Sequence, residues 1–267
     1  MLLEVENIDK SYKKSFGIMK KEKLQVLKDV SLCLYEGECL GIIGESGSGK
    51  STLGRLMIGV EKADAGSIRI DGTEINKTTD KSIKEKVSVV FQDYSSSVNP
   101  RFKIIDILWE PIKVFEGLSQ KDSLNKIIGL LEKVGLSKEY LYRYPHQLSG
   151  GQLQRVCIAR AIATNPKFIL LDEAISSLDV SIQVQILDLL IQLKKEMGIS
   201  YVFITHDLAA VTYICDRVIF LKEGKVIEKV DCMHQLSNVK DPYSKALLHA
   251  AKAMNIREEN YVYWQIS

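Results

Sequence analysis

The chain has 267 residues, 46% of them hydrophobic and 26% charged, which is an ordinary globular composition with ample length to bury a core. Its formal net charge of +2 gives no field of the kind that marks a nucleic-acid binder. The longest fully apolar runs are short, such as Phe168–Leu171, whereas a spanning helix needs roughly 20 such residues, so any membrane contact is expected through a partner.

The Met1–Lys10 segment carries Glu4, Glu6 and Asp9 and lacks the basic head and apolar stretch of a secretory leader. The five cysteines, Cys33, Cys39, Cys157, Cys215 and Cys232, are odd in number and include no Cys-x-x-Cys pair. Reduced thiols in a cytoplasmic chain are expected, not a disulfide framework or a zinc site. Leu2–Glu6 and Val30–Leu34 read as half-buried strands, and the lysine-rich stretch from Lys13 to Lys23 between them reads as a solvated loop. Ile68–Asp71 alternates in the same way and ends in a turn at Gly72, so a small antiparallel sheet is expected near the N-terminus.

Four short apolar runs then stand apart: Leu40–Ile43, Val87–Phe91, Phe168–Leu171 and Tyr201–Ile204. Runs of this kind fit strands buried on both faces of a parallel α/β sheet. Gln183–Met197 separates two of them with the period of an amphipathic helix. The middle, about 95–162, has few strand signals and two amphipathic stretches, Asp122–Val134 and Gln152–Ala163, and reads as an inserted helical subdomain. Arg217–Leu221 and Lys225–Val230 flank Lys222-Glu223-Gly224 and read as a hairpin.

Ligands of an open parallel sheet bind at the carboxyl edge of its strands, so the residues that follow each run matter most. The first run opens into Gly44-Glu45-Ser46-Gly47-Ser48-Gly49-Lys50-Ser51-Thr52, which fits G-x-x-x-x-G-K-[ST]. Its glycines let several backbone N–H groups turn toward one anion, at the start of a helix that also favours negative charge. Lys50 would reach the β- and γ-phosphates, and the Ser51 hydroxyl would bind Mg²⁺.

The second run ends at Gln92, an amide that could sense metal or water. The third ends at Asp172 and Glu173. Asp172 reads as a magnesium ligand or as a plain helix N-cap. Glu173 reads as a general base for an attacking water or as a surface residue at a helix start. The fourth run ends at Thr205 and His206, and this histidine either serves the fold or contacts the γ-phosphate.

Leu148-Ser149-Gly150-Gly151-Gln152 precedes the helix Leu153–Ala163. Ser149 and Gln152 satisfy a capping-box pattern, and the paired glycines leave room at the first turn. This is a second phosphate-binding helix start, without a lysine or carboxylate of its own. Residue chemistry alone does not separate it from a well-capped helix.

Taken together, these motifs resemble the ABC ATPases, in that family's order and over the chain from Leu2 to about Leu248. Gly44–Thr52 looks like the Walker A loop, Gln92 the Q-loop, and Phe168–Asp172 Walker B with Glu173 as base. Leu148–Gln152 matches the family signature, Ser177-Leu178-Asp179 resembles the D-loop, and His206 the switch histidine. Tyr12 stands where the family stacks a ring on adenine. The family often has Pro after the catalytic Glu; here it is Ala174.

The resemblance implies an α/β fold: a P-loop, RecA-like ATPase core with a small antiparallel β subdomain and an inserted helical subdomain. The ATPase domain would span residues 1–230, followed by a C-terminal tail at 231–267. ATP and Mg²⁺ would be the cofactors, the latter on Ser51, Gln92 and Asp172. Two such subunits would close head to tail, so that the signature of one meets the ATP of the other.

Phe91-Gln92-Asp93 with Val98-Asn99-Pro100-Arg101, and Asp241–Leu248, are similar to the peptide/nickel importer branch. Ala174 and Gln152–Cys157 lean toward nickel importers, which places nickel or a metal chelate ahead of dipeptides or oligopeptides as cargo. The expected partners are a second, related ATPase in a heterodimer, two membrane permeases and an extracytoplasmic solute-binding protein, with no nucleic acid. The expected place is the cytoplasmic face of the membrane. A soluble ABC ATPase acting on DNA or ribosomes is the reading from a different class, and neither the coiled coil nor the second cassette it calls for is in this sequence.

Overall fold

The structure, a computed structural model, describes residues 1–16, 20–75 and 81–257. The chain forms two compact units, Met1–Thr79 with Tyr201–Ser267, and Asp80–Ser200.

In the first unit, β1 (Leu3–Phe16) pairs antiparallel with β2 (Lys20–Leu34) on one side and with β4 (Ala65–Ile70) on the other. A short β5 (Thr73–Glu74) completes the sheet in the order β2-β1-β4-β5. Leu3, Val5, Ile8, Leu27, Val30, Ile68 and Ile70 are buried, so one face of this sheet carries the core. Burying a side chain of that size contributes about 1.5–3 kcal/mol.

The lysine-rich stretch departs from the expected loop. Lys13–Phe16 and Lys20–Lys23 continue the ladder as strand, with Lys13 opposite Lys23 and Lys14 opposite Glu22. Backbone hydrogen bonds extend a ladder whatever the side chains, which composition alone does not reveal. Gly17, which the same reading placed in that loop, lies outside the described residues.

The second sheet of this unit runs β10-β9-β3-β8. Its β3 (Cys39–Ile43) is buried along its whole length, as is β8 (Ser200–Thr205), and β3 lies parallel to both β8 and β9 (Arg217–Lys222). The helix α1 (Lys50–Met57) follows β3 and buries Leu53, Leu56 and Met57. The helix α7 (Leu208–Ile214) follows β8 and is capped by Asp207, whose carboxylate accepts the N–H groups of Ala209 at 2.8 Å and Ala210 at 3.3 Å. The β9–β10 connection, leading into β10 (Lys225–Val230), turns through Glu223 and Gly224 at φ of 47° and 79°. Two successive positive φ values match the twist of a two-residue hairpin. The C-terminal helix α8 (Pro242–Arg257) buries Tyr243, Ser244 and Leu248.

In the second unit, after the short α2 (Lys81–Glu85), β6 (Val87–Phe91) pairs parallel with β7 (Phe168–Asp172). The run Val87–Phe91 is less buried than its composition implies: Val90 is buried but Phe91 is 39% exposed, because β6 is a terminal strand of its sheet. Between these strands lie α3 (Ile104–Glu116), α4 (Leu124–Lys133) and α5 (Gly150–Ile162), which pack on one another. The long α6 (Val180–Met197) buries Ile186, Leu187, Leu190 and Leu193 at helical spacing and ends at Gly198 with φ 66°. Among the described residues, no helix is long and apolar enough to cross a membrane.

Candidate functional site

In the first unit, the segment from Gly44 to Thr52 leaves the buried end of β3 and enters α1. Gly44 is forced by crowding, since a Cβ there would lie 2.2 Å from the Leu221 carbonyl oxygen and 2.6 Å from Ser48 Oγ. Gly49, the residue before the helix, has φ 106° and makes no side-chain cap. That conformation is costly for any residue with a Cβ. The first turn of α1 is thereby presented through backbone alone, the arrangement that receives anions at helix starts.

Lys50 is only 5% exposed, and its ammonium donates to the carbonyl oxygens of Gly44 at 2.6 Å and Glu45 at 2.8 Å. Among the described residues, the Ser48 hydroxyl is buried with no hydrogen-bond partner, an orphaned polar atom inside the loop. Glu45, Ser46 and Gly47 are exposed at its rim. Both features suit an anion: a positive charge folded into the loop and an unanswered hydroxyl beside it.

Residue pairing places His206 on the same edge. Ile43 lies opposite Thr205 in the parallel ladder, so Gly44 and His206 each follow directly on a paired residue. Thr205 is buried and its hydroxyl accepts the N–H of Asp207 at 3.0 Å, while the next residue, His206, is exposed at the elbow into α7.

The second unit repeats this logic. Phe91 lies opposite Asp172, which puts Gln92, Asp172 and Glu173 at one carboxyl edge. Asp172 ends β7, while α6 begins eight residues later behind Asp179. The helix-capping reading of Asp172 therefore does not hold; the capping position belongs to Asp179, which is exposed and makes no side-chain cap.

Glu173 adopts φ 48°, a left-handed backbone that costs a residue with a side chain about 1–2 kcal/mol. Its carbonyl accepts the hydroxyl of Ser176 at 3.0 Å and the Ser176 N–H at 3.2 Å, which holds the turn. The fully buried Gln154 of α5 donates to the Ala174 carbonyl at 2.7 Å. Gln154 escaped the sequence reading, although an amide on the apolar side of the Gln152–Ala163 pattern was a usable signal.

At the start of α5, the capping box forms as expected. Ser149 Oγ accepts the Gln152 N–H at 3.3 Å, and Gln152 Oε1 accepts the Ser149 N–H at 3.0 Å. Gly150 and Gly151 leave room for close neighbours: a Cβ at Gly150 would lie 2.7 Å from the Tyr94 hydroxyl, and one at Gly151 would lie 2.8 Å from Ile182 Cγ2, so those side chains would have to shift. Tyr94, two residues after Gln92, thus reaches the glycine loop, a contact that nothing in the local sequence announced.

Arg160 of α5 fastens the same segment by donating to the Ser97 carbonyl at 2.6 Å. Asp93 accepts the Ser96 N–H at 3.0 Å and the Ser95 hydroxyl at 2.7 Å, and these bonds, the Ser96 backbone first, hold its carboxyl down to about 2.

Tyr12 is half-buried on β1. Its hydroxyl donates to Glu61, which also binds Arg55 of α1, and Lys10 lies 5.4 Å from the ring centre. Hydrogen bonds from Tyr12 and Arg55 outweigh desolvation and lower the Glu61 carboxyl.

Comparison with known proteins identifies the family. Residues 27–176 match the family model described as ABC transporter. The chain is 44% identical over 249 residues to the metal-staphylopine import system ATP-binding protein of Staphylococcus aureus, covering 92% of this chain and 98% of that protein. It is also 44% identical to the oligopeptide transport ATP-binding protein of Haemophilus influenzae, covering 94% of this chain and 78% of that one. Among solved structures, the ATP-binding cassette MJ0796, a dimer in a post-hydrolysis state bound to ADP and Pi, superimposes with a TM-score of 0.75 at 32% identity, over 85% of this chain and 97% of that one. A cassette of Clostridium perfringens, part of the cbiONQ transporter complex, gives 0.78 at 27% identity over 96% and 98%.

Proposed function

This chain belongs to the ABC transporter family of ATPases, and from that membership we propose that it powers an importer whose cargo is a metal chelate. The observation that carries the cargo reading is the near full-length similarity to the metal-staphylopine relative. Similarity of the same degree to the oligopeptide relative favours peptides as the second reading.

The Gly44–Thr52 loop cradles the phosphates of ATP, with Lys50 on the β- and γ-phosphates and Tyr12 stacked on adenine. Ser51, Gln92 and Asp172 offer the oxygen donors that Mg²⁺ prefers, and they would hold it. The chemistry supplied there by a bound Mg²⁺ would be neutralisation of phosphate charge. Glu173 takes a proton from water as its oxygen bonds to the γ-phosphorus, and the bond to the β-phosphate oxygen breaks to leave ADP and phosphate. His206 and Gln92 orient the γ-phosphate and the water. Ser149, Gly150, Gly151 and Gln152 receive the γ-phosphate held by a second ATPase subunit, and Asp179 faces the same junction.

The second subunit is a related but different ATPase. The pair docks on two permeases at the cytoplasmic face of the membrane, and a solute-binding protein delivers cargo outside. The test is ATP-driven uptake by the reconstituted complex, offered either metal chelates or oligopeptides. Accumulation of chelated metal alone supports the proposal; accumulation of peptide alone transfers it to the second reading.

A further inference from the structure

The C-terminal helix reaches the phosphate loop. Tyr243, in the first turn of α8, is 9% exposed, and its hydroxyl accepts the backbone N–H of Glu45 at 2.8 Å. That N–H belongs to the peptide linking Gly44 to Glu45. The carbonyl of the same peptide, on Gly44, accepts the Lys50 ammonium at 2.6 Å. A peptide group is planar and trans, so its N–H and C=O point in opposite directions. Fixing one end in space fixes the aim of the other. The next carbonyl, on Glu45, receives both the Lys50 ammonium at 2.8 Å and the Ser48 N–H at 3.2 Å.

The tyrosine is itself held firmly. Its N–H donates to Asp241 Oδ1 at 2.8 Å, and the Glu228 carboxylate on β10 accepts the N–H groups of Lys240 and Asp241. Lys222 Nζ lies 4.9 Å from the ring centre. Burial, the largest influence, raises the Tyr243 phenol, which keeps it a neutral hydroxyl. An ionised phenolate here would lie beside the carboxylate-bearing rim of the loop.

We propose that Tyr243 is a positioning residue for ATP binding: through the Gly44–Glu45 peptide it sets the orientation of the carbonyl that holds Lys50 Nζ. The C-terminal segment, beyond the part of the chain that matches the family model, then takes part in presenting the lysine to the β- and γ-phosphates. This rests on the reading of Gly44–Thr52 as the phosphate loop.

Tyr243→Phe removes the hydroxyl and keeps the ring. Affinities of the full-length chain for ATP and for AMP are measured by displacement of fluorescent trinitrophenyl-ATP, with Lys50→Ala alongside. AMP lacks the phosphates that Lys50 serves, so a merely structural role for Tyr243 moves both affinities together. The expected result is an ATP affinity about 3–10-fold weaker, the value of one hydrogen bond, with AMP unchanged. An unchanged ATP affinity, beside a Lys50→Ala chain that has lost it, overturns the proposal. A parallel fall in ATP and AMP affinity, whether or not the melting temperature drops, overturns it too. If Lys50→Ala itself binds ATP normally, the phosphate-loop reading is what fails, and the role of Tyr243 falls with it.

Discussion

Two helices of this protein begin at glycine-rich loops suited to anions, and they prepare their first turns by different means. Before α1, Gly49 has no side chain with which to cap, and the loop folds a lysine and an orphaned hydroxyl into its interior. Before α5, Ser149 and Gln152 cap each other, and the loop is closed by its own residues. The first start brings a positive charge and a buried hydroxyl to the loop, whereas the second is closed by its own cap and carries no charge for phosphate. A helix start that satisfies itself is suited to intermittent contact, such as an interface that closes and reopens. One that presents backbone N–H groups and a lysine is suited to gripping a phosphate-bearing ligand from one side.

The largest test of this contrast changes neither loop. Glu173→Gln is expected to lower steady-state ATP turnover by roughly 10²–10⁴-fold while ATP binding persists, because only the base is lost. Normal phosphate release by that variant removes Glu173 from the role. Next comes Lys50→Ala, which should weaken ATP binding on the order of 100-fold, the upper value for hydrogen bonds to a charged group. Titration with a fluorescent nucleotide measures it, and retained affinity would mean that the first loop is not the custodian.

A smaller effect is expected at the other helix. Ser149→Ala removes the cap and should cost about 1 kcal/mol in denaturant unfolding, with nucleotide affinity of the isolated chain unaltered. A loss of affinity there would erase the distinction between the two loops.

The smallest effect concerns the segment that carries Tyr94 to Gly150. The Asp93 carboxyl is held at about 2, below its ordinary 3.8, by the Ser96 N–H and then the Ser95 hydroxyl. A lowered folded-state value means that the stabilisation is complete above about 3.8 and disappears as pH falls through about 2. The stability difference between the wild-type chain and Asp93→Asn, followed by urea unfolding, should therefore shrink between those pH values. A difference that stays constant down to pH 2 assigns it to something other than this carboxylate.

Local chemistry made much of this protein legible. A glycine loop after an apolar run, a Ser and Gln three residues apart, and a helical period in Gln183–Met197 are all short-range patterns. Each works because its partners lie within a few residues, where geometry follows from backbone rules. The hairpin turn at Glu223-Gly224 belongs to the same class. Remote partners leave no such local trace. Nothing near Lys13 announces that it faces Lys23 in a ladder, and Phe91 is exposed because its strand ends a sheet.

Sequence alone thus determined the α/β class, the loops from Gly44 to Thr52 and from Ser149 to Gln152, and the strand-end positions of Gln92, Asp172, Glu173 and His206. Tertiary structure alone decided that Gln154 props the Ala174 carbonyl, that Tyr94 covers Gly150, and that Tyr243 holds the N–H of Glu45 from 198 residues away. The reason is physical. Every backbone N–H and carbonyl must find a partner when buried, but which partner arrives is set by how distant segments pack. A motif states what a loop can bind, and packing states how firmly and in which direction its groups are aimed.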